Sequence, residues 1–365
     1  MILTYKYRIK DSASKRELSR LAGNVNFVWN YVNSLSKRDF LAWKRSERKK
    51  KLSAIDIKYL LIGSYKQVNL PAQSIQAVAE CYVSNRDTFK KPYLSWRSRK
   101  RSLGWIPFKH QDFKIKEDKV FLLKKQFKIY KDRSLPADAA IKCGSFNCDN
   151  LGRWFVSITF ETAEAKKHVN AISAVGIDLG IKEVMTLSNE DKINRVNATN
   201  TYQDRLATAQ RAKKKRQIKK ILNKIKNTRK DFYHKATTKI AKQFETIYIG
   251  DVKSQDIIDK DINKNLTKGV YDAGWYMIKN LLEYKAKKLG GFFYEVKENY
   301  TTQTCSYCFK KTGPKGIDGL AVRVWDCEYC YAKHDRDINS ARNILRIGHD
   351  TPFAGDLRSN NRVGK

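Results

Sequence analysis

No stretch of the chain reaches the roughly 18 consecutive uncharged apolar residues of a membrane span, so a helical membrane protein is excluded and no membrane partner is expected. The opening residues, MILTYKYRIKDSASKREL, are charged within the first ten and contain no apolar run like that of a signal peptide, which makes the cytoplasm the expected location. No segment repeats. Acidic residues are scarce: 37 Asp plus Glu against 74 Lys plus Arg leave a formal net charge of +37. Self-repulsion of that size calls for a polyanion, and nucleic acid is the leading partner. Cysteines are few, seven in all, and four of them fall in two Cys-x-x-Cys pairs. In a reducing compartment such pairs indicate metal rather than disulfides. Cys81, Cys143 and Cys148 lack this pairing and are expected to be buried thiols.

What is present points to large, basic, folded domains. A chain of 365 residues predicts two or three domains. The basic residues are spread along most of it and interleaved with aromatics (12%), which predicts positively charged grooves rather than a basic tail. Ribosomal-type structural proteins are usually shorter and less aromatic. LTYKYRI (residues 3–9) alternates like a strand, and the next thirty residues carry Leu18, Leu21, Val25, Val28, Val32 and Leu35 at helical spacing. A second helix is predicted within 70–91, with Ile75, Val78, Ala79 and Tyr82 on one face. From about 100 to 163 short alternating runs predict a small barrel or sheet. The opening strand should join it, because alone its ladder would be unpaired.

Further on, AVGID, a long helical stretch from about 202 to 244, TIYIGDV, a helix over 271–290 ending at Gly290 and Gly291, GFFYEVKE and DINSARNILRIG predict alternating strands and helices. Within the long helix, RAKKKRQIKKILNKIKNTRK holds eleven basic residues in twenty. Ile218, Leu222 and Ile225 are its candidate docking face. Lys213, Lys214, Lys215, Arg216, Lys219 and Lys220 are its candidate nucleic-acid contacts.

Two chemistries are written in the second half. Cys305, Cys308, Cys327 and Cys330 form two knuckles, the pattern of a closed tetrahedral zinc site with a structural role; an iron centre is the alternative. Asp178 ends the apolar run AVGID, and Asp335 and Asp337 stand just ahead of a helix whose expected inner face is Ile338, Ala341 and Leu345. One of the latter two should cap that helix and leave the other to face a cleft. Carboxylates converging from separate elements are what phosphodiester cleavage assisted by two Mg²⁺ requires.

The order of GIDLGI, the basic helix, DAGWYMIKNLLEYKA, YTTQTCSYC, the second Cys pair and HDRDINSARNIL resembles the TnpB family, the RNA-guided nucleases of bacterial insertion sequences related to compact type V CRISPR effectors. YKYRI and NFVWNYVN extend the resemblance over nearly the whole chain. It implies an α+β multidomain fold: a β-barrel wedge domain (1–12 and 100–168) with an inserted helical recognition domain (13–99), then an RNase H-like RuvC domain (169–302 and 331–348) with an inserted zinc ribbon (303–330), and a flexible tail (349–365). It also implies three Mg²⁺-binding carboxylates. Asp178 matches the first and Asp337 the last, with Asp335 as the alternative. At the middle position most members have Ile-Glu-Asp, but here Gly250 replaces the glutamate, which taken strictly predicts a dead nuclease.

Glu298, in KENYTTQTC, resembles a relocated glutamate found in a subset of the family and is the expected third ligand. Asp251 is a weaker substitute, since strand alternation should turn it to the other face. The resemblance therefore implies an RNA-guided DNA endonuclease, with a guide RNA derived from the transposon end and a double-stranded DNA target next to a short adjacent motif. A nuclease-inactive, RNA-guided repressor and a guide-free zinc-ribbon RNA-binding protein are the alternatives. Gln73 and Gln76 are candidate readers of the adjacent motif. A monomer in the bacterial cytoplasm, associated with the nucleoid, is expected.

Overall fold

The computed structural model describes residues 1–46, 52–63, 65–163, 172–252, 273–315, 319 and 321–351; most of the expected tail lies outside them. The chain divides into two compact units, Met1–Ala163 and Glu164–Lys365.

In the first unit β1 (Ile2–Ile9) alternates and buries Tyr7 and Ile9. α1 (Ser12–Ser46) follows, its core stripe of Leu18, Leu21, Val25, Val28 and Val32 recurring every three to four residues. The short helices α2 (Ala54–Leu60) and α3 (Tyr65–Val68) escaped the periodicity reading, being too brief for a helical period to register. α2 is started by a capping box between Ser53 and Asp56. α4 (Ala72–Thr88) buries Ile75, Val78, Ala79 and Tyr82.

Strands β2 (Trp105–Lys109), β3 (Phe113–Lys116), β4 (Lys119–Leu122), β5 (Lys125–Tyr130), β6 (Ala140–Cys148) and β7 (Trp154–Glu161) complete the unit. They join β1 in one antiparallel sheet of order β2-β6-β7-β1-β5-β4-β3. The opening strand thus sits inside the sheet, paired on both sides. The order is linear, so strand pairing does not close a barrel; instead Phe108 of β2 stacks on Phe113 of β3 with ring centroids 4.1 Å apart. Cys143 in β6 is exposed and Cys81 and Cys148 are half-buried, which corrects their expected burial.

The second unit is built on β8 (Ile172–Asp178), β9 (Glu183–Leu187), β10 (Lys192–Asn194), β11 (Phe244–Gly250) and β12 (Phe292–Val296), in the order β10-β9-β8-β11-β12. β11 runs parallel to both its neighbours. α5 (Ala198–Thr201), α6 (Gln203–Arg211), α7 (Lys215–Gln243) and α8 (Trp275–Leu289) precede the last strand, and α9 (Arg336–Asp350) follows a small ladder of β13 (Val324–Asp326) and β14 (Lys333–Asp335). Among the described residues no helix is long and apolar enough to cross a membrane.

Side chains alternate between the two faces of a sheet. Val175, Ile177, Ile247 and Ile249 belong to one core with Tyr233 and Ile240 of α7 and Ile278 and Leu282 of α8. The intervening Tyr248 belongs to the opposite face, with Val296 and Ile344 of α9. There α9 lies close on β8, because a Cβ on Gly176 would strike the Ala341 carbonyl.

The expected single helix over 202–244 is two helices. The chain breaks at Lys213, which takes a left-handed conformation (φ 52°) where successive lysines crowd one turn. Its docking face also differs: Ile225 is buried, but Leu222 is 47% exposed and Ile218 only half-buried. α7 makes its core contacts further along, through Tyr233, Thr237, Ile240 and Ala241. At the far end of α8, Gly290 (φ 82°) supplies the left-handed cap.

Candidate active site and metal centre

Strand parity decides which acids meet. Asp178, two residues beyond Gly176, and Gly250, two beyond Tyr248, lie on the sheet face that α9 covers. Gly250 offers no carboxylate, yet its space is occupied. A Cβ there would collide with Glu298 Oε2. The relocated side chain thus enters from the turn after β12, where Val296 is the register partner of Gly250.

The geometry is costly for anions. Burial pushes the Asp178 carboxyl up to about 7; the bond from Ser340 opposes the rise and neighbouring Asp337 adds to it. Glu298 is likewise pushed up to about 7, by burial and then by the charges of Asp178 and Asp251, with Lys279 opposing. Asp337 is raised by burial, against the attraction of Arg323, whose Nη1 lies 3.3 Å from its carboxylate. Asp178 thus feels the charge of Asp337, and Glu298 that of Asp178, but the three acids are less closely gathered than the thiols described below. Among the described residues only the cysteines place three or more ligand atoms of His, Cys, Asp or Glu within 4.8 Å of one another.

Asp335 is the capping member of its pair. Its Oδ1 accepts from the backbone N–H groups of Asp337 and Ile338, both at 3.1 Å, and its other oxygen accepts from Lys192 Nζ at 2.6 Å. Burial alone would raise its pKa, but these bonds hold it below the usual carboxylate range. Asp251 is less remote than alternation suggested, since its Oδ1 accepts weakly from the Glu298 N–H at 3.4 Å.

The frame of the site is polar and was missed in the sequence. α9 buries Asn339, Ser340, Ala341, Asn343 and Ile344, and the expected inner residues Ile338 and Leu345 are only half-buried. The polar stripe replaces apolar packing because a turn of bare backbone lies beneath it. Ser340 Oγ donates to Asp178 Oδ1 at 2.8 Å and lies 3.0 Å from Thr301 Oγ1, which in turn donates to the Glu298 carbonyl at 2.9 Å. Asn339 and Asn343 each donate to the carbonyls of both Thr301 and Thr304. The available signal was the run of polar residues at helical spacing in DINSARN, directly after the acids.

Asn339 also accepts from the Ser306 N–H at 2.8 Å, which fixes the first cysteine knuckle to the same helix. Cys305 and Cys330 sulfurs lie 3.6 Å apart, and those of Cys308 and Cys327 3.5 Å. Zinc held at Zn–S distances of about 2.3 Å needs tetrahedral thiolates about 3.8 Å apart, so this donor set fits zinc. The buried His334, whose Nε2 is 3.1 Å from Cys305 Sγ, is a neighbour that the cysteine spacing did not reveal. Phe309 and Tyr331, each following a knuckle, take the left-handed conformation (φ 62° and 55°) that glycine would adopt more easily.

Of the other candidates, Gln76 is exposed, and half-buried Gln73 donates to the side chain of Gln111. Lys213, Lys214, Lys215, Arg216, Lys219 and Lys220 are all exposed, on the α6–α7 turn and the first turns of α7.

Comparison with known proteins bears on the family and the fold. Residues 275–344 match the sequence profile of the Cas12f1-like TNB domain, and residues 157–260 match the IS605 OrfB profile, described as a probable transposase. A Streptomyces pristinaespiralis protein provisionally named an RNA-guided DNA endonuclease is 27% identical over 399 residues, covering 99% of this chain and 94% of its own. InsQ of Escherichia coli K12, which bears the same provisional name, is 25% identical over 387 residues, covering 98% of this chain and 95% of its own. The TnpB-like protein MJ0012 of Methanocaldococcus jannaschii is 31% identical over 161 residues, which are 40% of this chain and 73% of that protein. Cas12f1, solved with its sgRNA and target DNA, shares the mixed α/β fold at a TM-score of 0.56 and 14% identity, over 92% of this chain and 83% of that one. Sequence profiles, relatives matched from end to end and a shared fold lead to one assignment: the chain belongs to the TnpB family.

Proposed function

We propose that this chain is an RNA-guided DNA endonuclease of an insertion sequence, and that Asp178, Glu298 and Asp337 form its catalytic site. The observation that carries the reading is Glu298 filling the space above Gly250, on the sheet face of Asp178. A hard-oxygen donor set without Cys or His suits Mg²⁺, and three buried carboxyls with raised pKa values, Asp178 repelled by Asp337 and Glu298 by Asp178, are acids in want of a cation. Bound there, Mg²⁺ would supply the Lewis acidity for phosphodiester hydrolysis. The protein's own part is to hold the three acids in place. Ser340 fixes the Asp178 carboxylate, Thr301 fixes the turn bearing Glu298, and the cap made by Asp335 frees Asp337 for the cleft.

In this reading residues 1–12 and 100–168 are the wedge domain and 13–99 the recognition domain. Residues 169–302 and 331–348 are the RuvC-like nuclease, and 303–330 the zinc ribbon. A guide RNA from the transposon end lies along basic surface that includes Lys213, Lys214, Lys215, Arg216, Lys219 and Lys220, and pairs with the DNA target. Gln73 and Gln76 read the adjacent motif, and one copy of the chain acts in the cytoplasm at the nucleoid.

The test is Mg²⁺-dependent cleavage of target DNA by the protein loaded with its co-purifying RNA. Cut DNA with the wild type and intact DNA with Glu298→Gln, at equal target binding, is the expected result. Bound but uncut DNA with the wild type would identify a repressor. Absence of any guide-dependent DNA binding would identify a guide-free RNA-binding protein.

A further inference from the structure

Residues 89–103, FKKPYLSWRSRKRSL, connect α4 to β2 and contain six Lys or Arg and no acid. Such a linker would ordinarily stay mobile, but one face of α1 ties this one down. Asn33 Oδ1 accepts from the Leu94 N–H at 2.9 Å, and Trp29 Nε1 donates to the Ser95 carbonyl at 3.3 Å. Asn30 binds both backbone groups of Arg97 at 2.8 Å each, and Asn26 Oδ1 accepts from Arg97 Nε at 2.8 Å. Positions 26, 29, 30 and 33 lie on one helical face, so α1 reserves that face for the linker's polar groups.

Beyond Arg97 the chain makes a tight turn, closed by Ser102 N–H donating to the Ser98 carbonyl at 2.8 Å and Ser98 N–H donating to Ser102 Oγ at 3.1 Å. Arg99, Lys100 and Arg101 are exposed on it, and Trp96 just before it is 51% exposed. No ion pair among the described residues engages Lys90, Lys91, Arg99, Lys100 or Arg101. Arg97 serves the fold instead, with its guanidinium over the rings of Trp29 and Trp105 and bonded to the Leu103 carbonyl.

We propose that residues 89–103 are a rigid strap that binds unpaired nucleotides of the RNA partner, an inference that rests on the RNA-guided reading above. Rigidity removes the ordering cost of binding. The cations of the turn meet phosphates, and the exposed indole takes a base face, which single strands present and duplex DNA hides.

The experiment measures guide-RNA affinity of the full chain against salt concentration, for the wild type, for Trp96→Ala and for the triple change Arg99→Ala, Lys100→Ala and Arg101→Ala. Three lost phosphate contacts should lower the slope of log affinity against log salt by about 2. Trp96→Ala should weaken binding about tenfold with the slope kept. The substituted side chains are exposed, so melting curves should match the wild type. Unchanged RNA affinity and slope would overturn the strap, as would a loss confined to duplex target DNA. A wild type that binds no RNA at all would instead overturn the RNA-guided reading itself.

Discussion

Gly250→Ala tests the relocated ligand with a single methyl group. The new Cβ would collide with Glu298 Oε2 and crowd its carboxyl carbon at 3.1 Å, while Ile344 Cδ1 stays at an ordinary 3.5 Å. To regain van der Waals separation the carboxylate must retreat by roughly an ångström or more. Glu298 is a flexible side chain reaching in from a turn, so it can withdraw at little cost to the fold, and the melting temperature should stay near that of the wild type. Catalysis should not be so tolerant. A misplacement of about 1 Å in a catalytic group costs about 100-fold in rate, or about 2.7 kcal/mol of barrier. The assay is single-turnover cleavage with saturating guide and target, titrated with Mg²⁺. Gly250→Ala should cut about 100-fold more slowly, and adding it to Glu298→Gln should have almost no further effect, since the ligand it displaces is already lost. Wild-type rates in Gly250→Ala, or two effects that simply add, would refute the placement of Glu298 in the metal site.

Four other outcomes follow from the two sites. Asp178 and Glu298 have folded-state pKa values raised to about 7, so the metal-free fold binds more protons than the unfolded chain between about pH 4 and 7. Their contribution to stability is therefore present at low pH and is lost as pH rises towards 7; melting temperatures of Asp178→Asn and Glu298→Gln should show a flatter decline than the wild type. Since Mg²⁺ needs the deprotonated acids, cleavage at subsaturating Mg²⁺ should rise from pH 6 to 8 and flatten when Mg²⁺ is saturating. Ser340→Ala removes a buried donor from Asp178 and should cost about 1–3 kcal/mol of stability by denaturant titration, together with weaker Mg²⁺ affinity. Cys327→Ser should weaken the thiolate charge-transfer band of the Co²⁺-substituted protein by about a quarter or more and lower its melting temperature, and an unchanged spectrum would count against a four-thiolate centre.

Much of the site could be read from the residues. The two Cys-x-x-Cys pairs announce a cluster because thiolate spacing is local, and Asp178 follows an apolar run whose alternation fixes the face it takes. Glu298 needed the resemblance as well as Gly250, since nothing local reveals that a turn residue will fill a gap left on a neighbouring strand. What stayed hidden was tertiary. Asn339, Ser340 and Asn343 look like solvent positions until the 301–304 turn is beneath them. The break at Lys213 has no glycine or proline to mark it. The exposure of Leu222 depends on where α7 meets its neighbours, which its periodicity does not encode.

The hydrogen bonds from α9 to the 301–304 turn also set a schedule for synthesis. The acids on β8 and after β12 are translated before the helix that holds them and supplies Asp337. On the proposed reading, a product terminated ahead of residue 336 would lack both Asp337 and the Ser340 that holds Asp178, so the carboxylate site could not be completed before the last helix is made.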